Sequence, residues 1–189
     1  TDTNNPSSGV AFAYHETYID PAALVPRTTN GADSLTKEFA TNDIMIDYLA
    51  YDSTTEEGSQ FKFMMPDNWD LRTLKLKFLW DAAATASGTC VWGVSARHYA
   101  NDDAIDIALG TQIDVTDTIL AVGDLQESPA TAAVTVAGTP AVGGFIIFQI
   151  VATTAGTSAV DQFLMGIGIQ YGIHNTGTAK WEKVGMHYL

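Results

Sequence analysis

Apolar and polar residues alternate with a period of two through most of residues 61–171. Leu74, Leu76, Phe78 and Trp80 share one side of a segment whose other side carries Lys75 and Lys77. Successive side chains of an extended strand point to opposite faces. This pattern therefore predicts a half-buried strand with its lysine heads in water. Trp92, Val94, Ala96 and His98 alternate in the same way with Val91, Gly93, Ser95 and Arg97, and Val134 and Val136 flank Thr135. Residues 145–151 are apolar except for Gln149, which predicts a central strand covered on both faces. Phe163, Met165, Ile167, Ile169 and Tyr171 form the cleanest alternation, and Gly166 and Gly168 leave the opposite face of that strand almost bare. A bare strand face accepts a close neighbour, an aromatic ring or another subunit.

Turn-forming clusters separate these runs, at residues 85–89, 137–140 and 153–157. Strands at such spacing, with no long segment of helical period, predict an all-β antiparallel β-sandwich. Residues 101–110 are the exception. Asn101 as a cap, two acids in a first turn and Gly110 as a stop predict one or two helical turns within a loop. Residues 137–142 (AGTPAV) recur as 155–160 (AGTSAV), each followed two residues later by a strand that begins with Phe. Similar loops feeding similar strands at one end of a sandwich account for this better than a solenoid, which needs stacked regular units.

The first sixty residues are more irregular, yet they contain Phe12, Tyr14, Tyr18, Phe39, Tyr48 and Tyr51. Disordered segments are poor in aromatics. Residues 11–51 are therefore expected to be an extended arm with short strands, ordered on its own sandwich or on a neighbour's. The expected organisation is an N-terminal arm over residues 1–58, a sandwich over 59–173, and a tail or added strand over 174–189 that carries Trp181, Val184 and Tyr188.

Composition narrows the function classes. The chain has 189 residues and 46% apolar residues, enough for a single core, but only 16% charged residues. Its formal charge is −13, with nine Lys and Arg scattered between Arg27 and Lys183. Nucleic acid and anionic membranes are both met by concentrated basic surface, so neither is expected as a partner. The polar N-terminus has neither the basic nor the apolar stretch of a signal peptide, and no apolar run is long enough to span a bilayer. The single cysteine, Cys90, lies in a strand-like run and reads as a small buried hydrophobe.

A search for chemistry returns little. His15, His98, His174 and His187 include no pair at helical metal-ligand spacing. Asp102, Asp103, Asp106, Asp114 and Asp117 form the most suggestive cluster of hard oxygen ligands, but not at the spacing of the EF-hand calcium loop. Asp102 and Asp103 read as helix-terminus acids, and the rest as solvated loop or strand. The nucleophile elbow, the P-loop and the dinucleotide glycine fingerprint are all absent from the sequence. No catalytic residue, metal or cofactor is expected. Among the tryptophans, Trp80 and Trp92 fall on core-facing positions. Trp69, in the turn-like segment 66–70, is the candidate for an exposed ring that could stack on a sugar.

Several segments, taken together, resemble a recurrent structural domain of tailed-phage virions. They are residues 40–44 (ATNDI), 61–69 (FKFMMPDNW), 77–81 (KFLWD), 102–106 (DDAID), 120–125 (LAVGDL), 132–140 (AAVTVAGTP) and 166–171 (GIGIQY). The resemblance implies a jelly-roll-like sandwich of the kind used in head decoration, head-fibre and tail-associated proteins, assembled into the virion in the host cytoplasm. It implies the major capsid protein or other virion proteins as partners, and a homotrimer. The expected function is a capsid decoration protein that stabilises the head lattice, with Tyr14, Tyr18 and Leu24 of the arm as contact residues. The alternative is a receptor- or glycan-binding protein of a head fibre or tail.

Overall fold

A computed structural model describes residues 12–84 and 87–174. Eleven strands run through these residues. They are β1 (Phe12–Ile19), β2 (Val25–Pro26), β3 (Asp33–Phe39), β4 (Ile44–Tyr51), β5 (Glu57–Phe63), β6 (Lys75–Ala82), β7 (Thr89–Tyr99), β8 (Ile113–Thr118), β9 (Gln126–Glu127), β10 (Phe145–Thr153) and β11 (Gln162–His174). A six-stranded sheet has the order β3-β4-β11-β6-β9, and β1 pairs with the remaining stretch of the β11 edge that β4 leaves. A five-stranded sheet has the order β2-β5-β10-β7-β8. Every strand pair is antiparallel. The fold is an antiparallel jelly-roll-like β-sandwich.

Alternation decides what lies between the sheets. Leu76, Phe78 and Trp80 of β6 and Leu164, Ile167 and Ile169 of β11 project inward from one sheet. Trp92, Val94 and Ala96 of β7 and Ile146, Phe148 and Ile150 of β10 meet them from the other, all fully buried. Trp92 is the hub. It stacks on Phe78 at 5.3 Å and meets Tyr51 edge-on at 5.2 Å and Trp80 at 6.2 Å. Phe61 stacks on Phe148 at 4.9 Å. Such pairs add roughly 0.5–1.5 kcal/mol each beyond the area they bury. Cys90 is a core side chain, and burial with the nearby Asp117 charge pushes its thiol well above the ordinary range.

The strands expected at 74–80, 90–98, 145–151 and 163–171 are β6, β7, β10 and β11. Five other expectations are changed by the structure. The segment 12–51, expected as an arm ordered on its own sandwich or on a neighbour's, is built into the sheets of its own sandwich. β1 pairs with β11 over eight residues, β4 pairs with β11, and Ile19, Leu24, Leu49 and Tyr51 lie in the common core, so a boundary at 58 cuts through one fold. Residues 101–110 form no helix. Asp102 adopts a left-handed φ of 71°, and the loop is drawn back over β7 by bonds from Arg97 to the Ala108 carbonyl and from Tyr99 to the Ile107 carbonyl. The apolar side of β11 is not continuous. A bulge between Leu164 and Gly166 swaps faces, so Phe163 lies opposite to Ile167 and packs on Tyr48 at 4.4 Å. The two similar loops lie at opposite ends of the sandwich, because β10 separates them. Ala137 is bonded to Ala96 near one end of β7, and Thr157 to Thr89 at the other. Residues 134–136 form no strand, and Val134 alone makes an isolated bridge to Leu74. Residues 175–189, with Trp181, Val184 and Tyr188, lie outside the described residues.

Candidate functional site

The outer faces of the two sheets differ in what covers them. On the five-stranded sheet the chain covers its own surface. The 100–112 loop is bonded across β7, and the Arg27 and Gln112 side chains lie over Gly58 and Gly93. Val91, Ser95, Tyr99 and Val151 are buried there. On the six-stranded sheet the outer face around β1, β11 and β6 exposes Tyr14, Glu16 and Lys75.

Register sets out that open face row by row. Tyr14 stands opposite Gly172, Glu16 opposite Gln170 and Lys75 beyond it, and Tyr18 opposite Gly168 with Lys77 beyond it. Adjacent strands are about 4.8 Å apart, so each row is about 10 Å wide. Tyr14 and Tyr18 share a face four positions apart, about 13 Å along the strand. β11 supplies a floor without side chains at Gly166, Gly168 and Gly172, and neighbours occupy the space. A Cβ at Gly166 would lie 2.3 Å from the Tyr18 ring, one at Gly168 2.6 Å from Glu16 Oε1, and one at Gly172 2.2 Å from Asp70 Oδ2.

The Tyr18 ring thus rests on the strand backbone, and its hydroxyl donates to the Met165 carbonyl at 2.8 Å. Partial burial and the Asp20 charge raise its phenol above the ordinary value. Glu16 Oε2 accepts from the Gln170 amide at 2.8 Å, and Lys77 pairs with Glu127 at 2.7 Å. Tyr14 is 86% exposed. Beside it runs a groove of about 550 Å³ lined by Tyr14, Asp70, Arg72, Lys75, Gln170 and Gly172 among others. An aromatic ring at the rim of a groove whose walls offer amide, carboxylate, ammonium and guanidinium groups is suited to a polyhydroxylated ligand. The ring packs against C–H faces and the polar groups exchange hydrogen bonds with hydroxyls.

The expected site residues fall into two groups. Tyr14 and Tyr18 both lie on this face, Tyr18 being 53% exposed. Leu24 is 5% exposed and belongs to the core, so it is not a contact residue. Trp69 is corrected likewise: it is 2% exposed. The 66–70 segment is stitched to the end of β11 by a Trp69–Ile173 bridge, an Asp70 N–H bond to the Gly172 carbonyl, and a His174 N–H bond to the Asn68 carbonyl. Strand alternation then turns Trp69 inward and Asp70 outward. Sequence reasoning missed Gln170, Asp70, Arg72 and Lys75 as one group. The available signal was the bare glycine face of β11 and the lysines alternating along β6.

Among the described residues no three His, Cys, Asp or Glu side chains gather as a metal site. Asp102 and Asp103 lie in a turn, where Asp103 accepts from the Ala100 N–H, and Asp117 of β8 accepts from the Trp80 indole at 2.8 Å.

No family model matches the chain, and no curated protein matches it. Solved structures of similar shape exist at low identity. One is the N-terminal carbohydrate-binding and catalytic module pair of Clostridium thermocellum endo-1,4-beta-D-xylanase 10B, complexed with xylohexaose. Its identity is 14% and its TM-score 0.49, and the match covers 81% of this chain but only 27% of that one. Another is the family 11 carbohydrate-binding module from Clostridium thermocellum, in complex with a beta-1,3-1,4-mixed-linked tetrasaccharide (12% identity, TM-score 0.47, 82% and 94% covered). A third is the xylan-binding domain CBM22-2 from Paenibacillus barcinonensis Xyn10C (13%, 0.45, 82% and 98%). These likenesses are too distant to place a ligand on this chain.

Proposed function

We propose that this chain is a non-catalytic glycan-binding domain that holds a saccharide on the outer face of its six-stranded sheet. The observation that carries the reading is Tyr14, a ring left 86% exposed at the rim of a polar groove about 550 Å³ in volume. An exposed aromatic ring at a groove lined by polar groups offers a stacking face and hydrogen-bond partners side by side. Tyr18 extends the platform along β1, and Gln170 at its centre supplies a neutral amide. The sequence resemblance alone supports a phage particle as its setting, where such a domain would serve as a receptor- or glycan-binding part of a head fibre or tail. A decoration role through a free arm is less well supported, because residues 12–51 are already committed to the sheets.

A glycan array followed by affinity electrophoresis tests the reading. The wild-type chain is expected to bind at least one saccharide class, and Tyr14→Ala to weaken that binding about 10- to 100-fold, the value of burying one aromatic face. Thermal stability is expected to be unchanged, since the ring is exposed. Absence of binding across the array, or binding unaffected by Tyr14→Ala, contradicts it.

A further inference from the structure

The outer face of the six-stranded sheet carries a further hollow besides the Tyr14 groove. It encloses about 400 Å³, and Tyr18, Asp20, Asp47, Leu79, Leu125 and Met165 are among its lining residues. Register puts the two on one line. β11 contributes Gly172 to the Tyr14 groove and Met165 to the other hollow. The stretch of β11 between them, from Gly172 to Gly166, is about 20 Å long. Tyr14, Glu16 and Tyr18 of β1 flank it on one side, and Lys75, Lys77 and Leu79 of β6 on the other. Gly168 and Gly166 keep the backbone low along the way. Glu16 lies over Gly168 and accepts from the Gln170 amide at 2.8 Å. The Tyr18 ring lies over Gly166 and leans toward Met165, to whose carbonyl its hydroxyl is bonded. The residue is still 53% exposed, so a ring held in place remains open to contact.

Resting on the glycan-binding reading, we infer that the ligand is a linear, uncharged polysaccharide held by an interior stretch of its chain, with successive sugars lying along β11 from Tyr14 to the hollow at Leu125. Tyr14 and Tyr18 stand about 13 Å apart on one face of β1, farther than a single sugar ring reaches. Each rims its own hollow, so several sugars are engaged at once. The chemistry of the strip sets the charge. Asp70 lines the first hollow, Glu16 lies between the two, and Asp20 and Asp47 line the second. Lys77, midway, is paired with Glu127 at 2.7 Å. Carboxylates are hydrogen-bond acceptors, which suits a ligand that donates from many hydroxyls, and their field opposes an anionic chain. Leu79, Leu125 and Met165 add apolar surface for the C–H faces of the sugars at the far end.

The test is a chain-length series. Gluco-, xylo- and manno-oligosaccharides from disaccharide to hexasaccharide, with their parent polymers, are titrated by calorimetry against wild type, Tyr14→Ala, Tyr18→Ala and Leu125→Ser. Polygalacturonate forms the charged arm. For at least one neutral series, affinity is expected to rise about 10-fold or more from disaccharide to hexasaccharide, the equivalent of one further good contact. Leu125 is 65% exposed, so its substitution leaves the fold intact. Leu125→Ser and Tyr18→Ala are each expected to weaken the hexasaccharide several-fold and to leave the disaccharide unchanged, whereas Tyr14→Ala weakens both. Equal affinity for disaccharide and hexasaccharide overturns the inference in favour of recognition of a single sugar. So do indifference of the hexasaccharide to Leu125→Ser and tighter binding of polygalacturonate than of every neutral chain. Each of these leaves the glycan reading in place, provided that Tyr14→Ala weakens what is bound. If none of the saccharides binds, both readings fall.

Discussion

Tyr14 and Tyr18 are the same residue type on the same face of the same strand, and their surroundings give them different work. Tyr18 lies flat on Gly166 with its hydroxyl tied to Met165, whereas Tyr14 stands beside the groove with 86% of its surface in water. Tyr18 is a fixed wall and Tyr14 an open contact. Partial burial first, and then the Asp20 charge, raise the Tyr18 phenol above 10.0. A raised folded-state value means that the neutral phenol favours the fold. That contribution is complete below pH 10 and is lost as pH rises through the folded-state value. In an ultraviolet titration, the difference between wild type and Tyr18→Phe should show one phenol ionising above 10.0. Ionisation at or below the ordinary tyrosine value contradicts the packed geometry. Tyr14 and Tyr18 were legible in the sequence as aromatics of an unusual segment. Trp69 was not, because its inward turn depends on a three-residue extension of β11 that no local pattern announces.

At the scale of the element, β11 organises the site. Its inward residues fill the core, and its outward glycines let β1 and β6 lay their side chains across the strand. The bare glycine face was readable from alternation alone; of the occupants it could accept, a close neighbour, an aromatic ring or another subunit, the Tyr18 ring lies over Gly166 and carboxylates lie over Gly168 and Gly172. The bulge after Leu164 was not readable, since one extra residue leaves the local alternation looking intact on both sides while exchanging the faces. The glycine floor leads to a direct expectation. Gly166→Ala would put a methyl group 2.3 Å from the Tyr18 ring and lift it from the sheet. The cost is about 1 kcal/mol, the size of the lost Tyr18–Met165 hydrogen bond, and the fold survives. Glycan affinity should fall several-fold while far-ultraviolet circular dichroism is unchanged. Unaltered affinity would show that the position of the Tyr18 ring does not matter.

At the scale of the whole molecule, the described residues form one sandwich, whose first and last strands, β1 and β11, pair with each other. The core strands and the all-β class were legible because alternation is a local signal. The inclusion of residues 12–51 was not, because the partner of β1 lies about 150 positions away and sequence reading has no measure of long-range pairing. Deleting residues 1–20 removes Ile19 and bares one edge of β11. The truncated chain is expected to lose cooperative unfolding and to aggregate through that edge. A truncated chain that melts within a few degrees of the full one would restore the separate arm.

The central claim is that the outer face of the six-stranded sheet holds a glycan, and amide chemical-shift mapping tests it most directly. An isotope-labelled chain is titrated with a saccharide that binds on the array. The account predicts perturbations clustered on Tyr14, Glu16, Asp70, Lys75, Gln170 and Gly172, with the five-stranded sheet silent. Perturbations centred on Ser95, Arg97 and Gln149 of the five-stranded sheet, with Tyr14 unmoved, would contradict it.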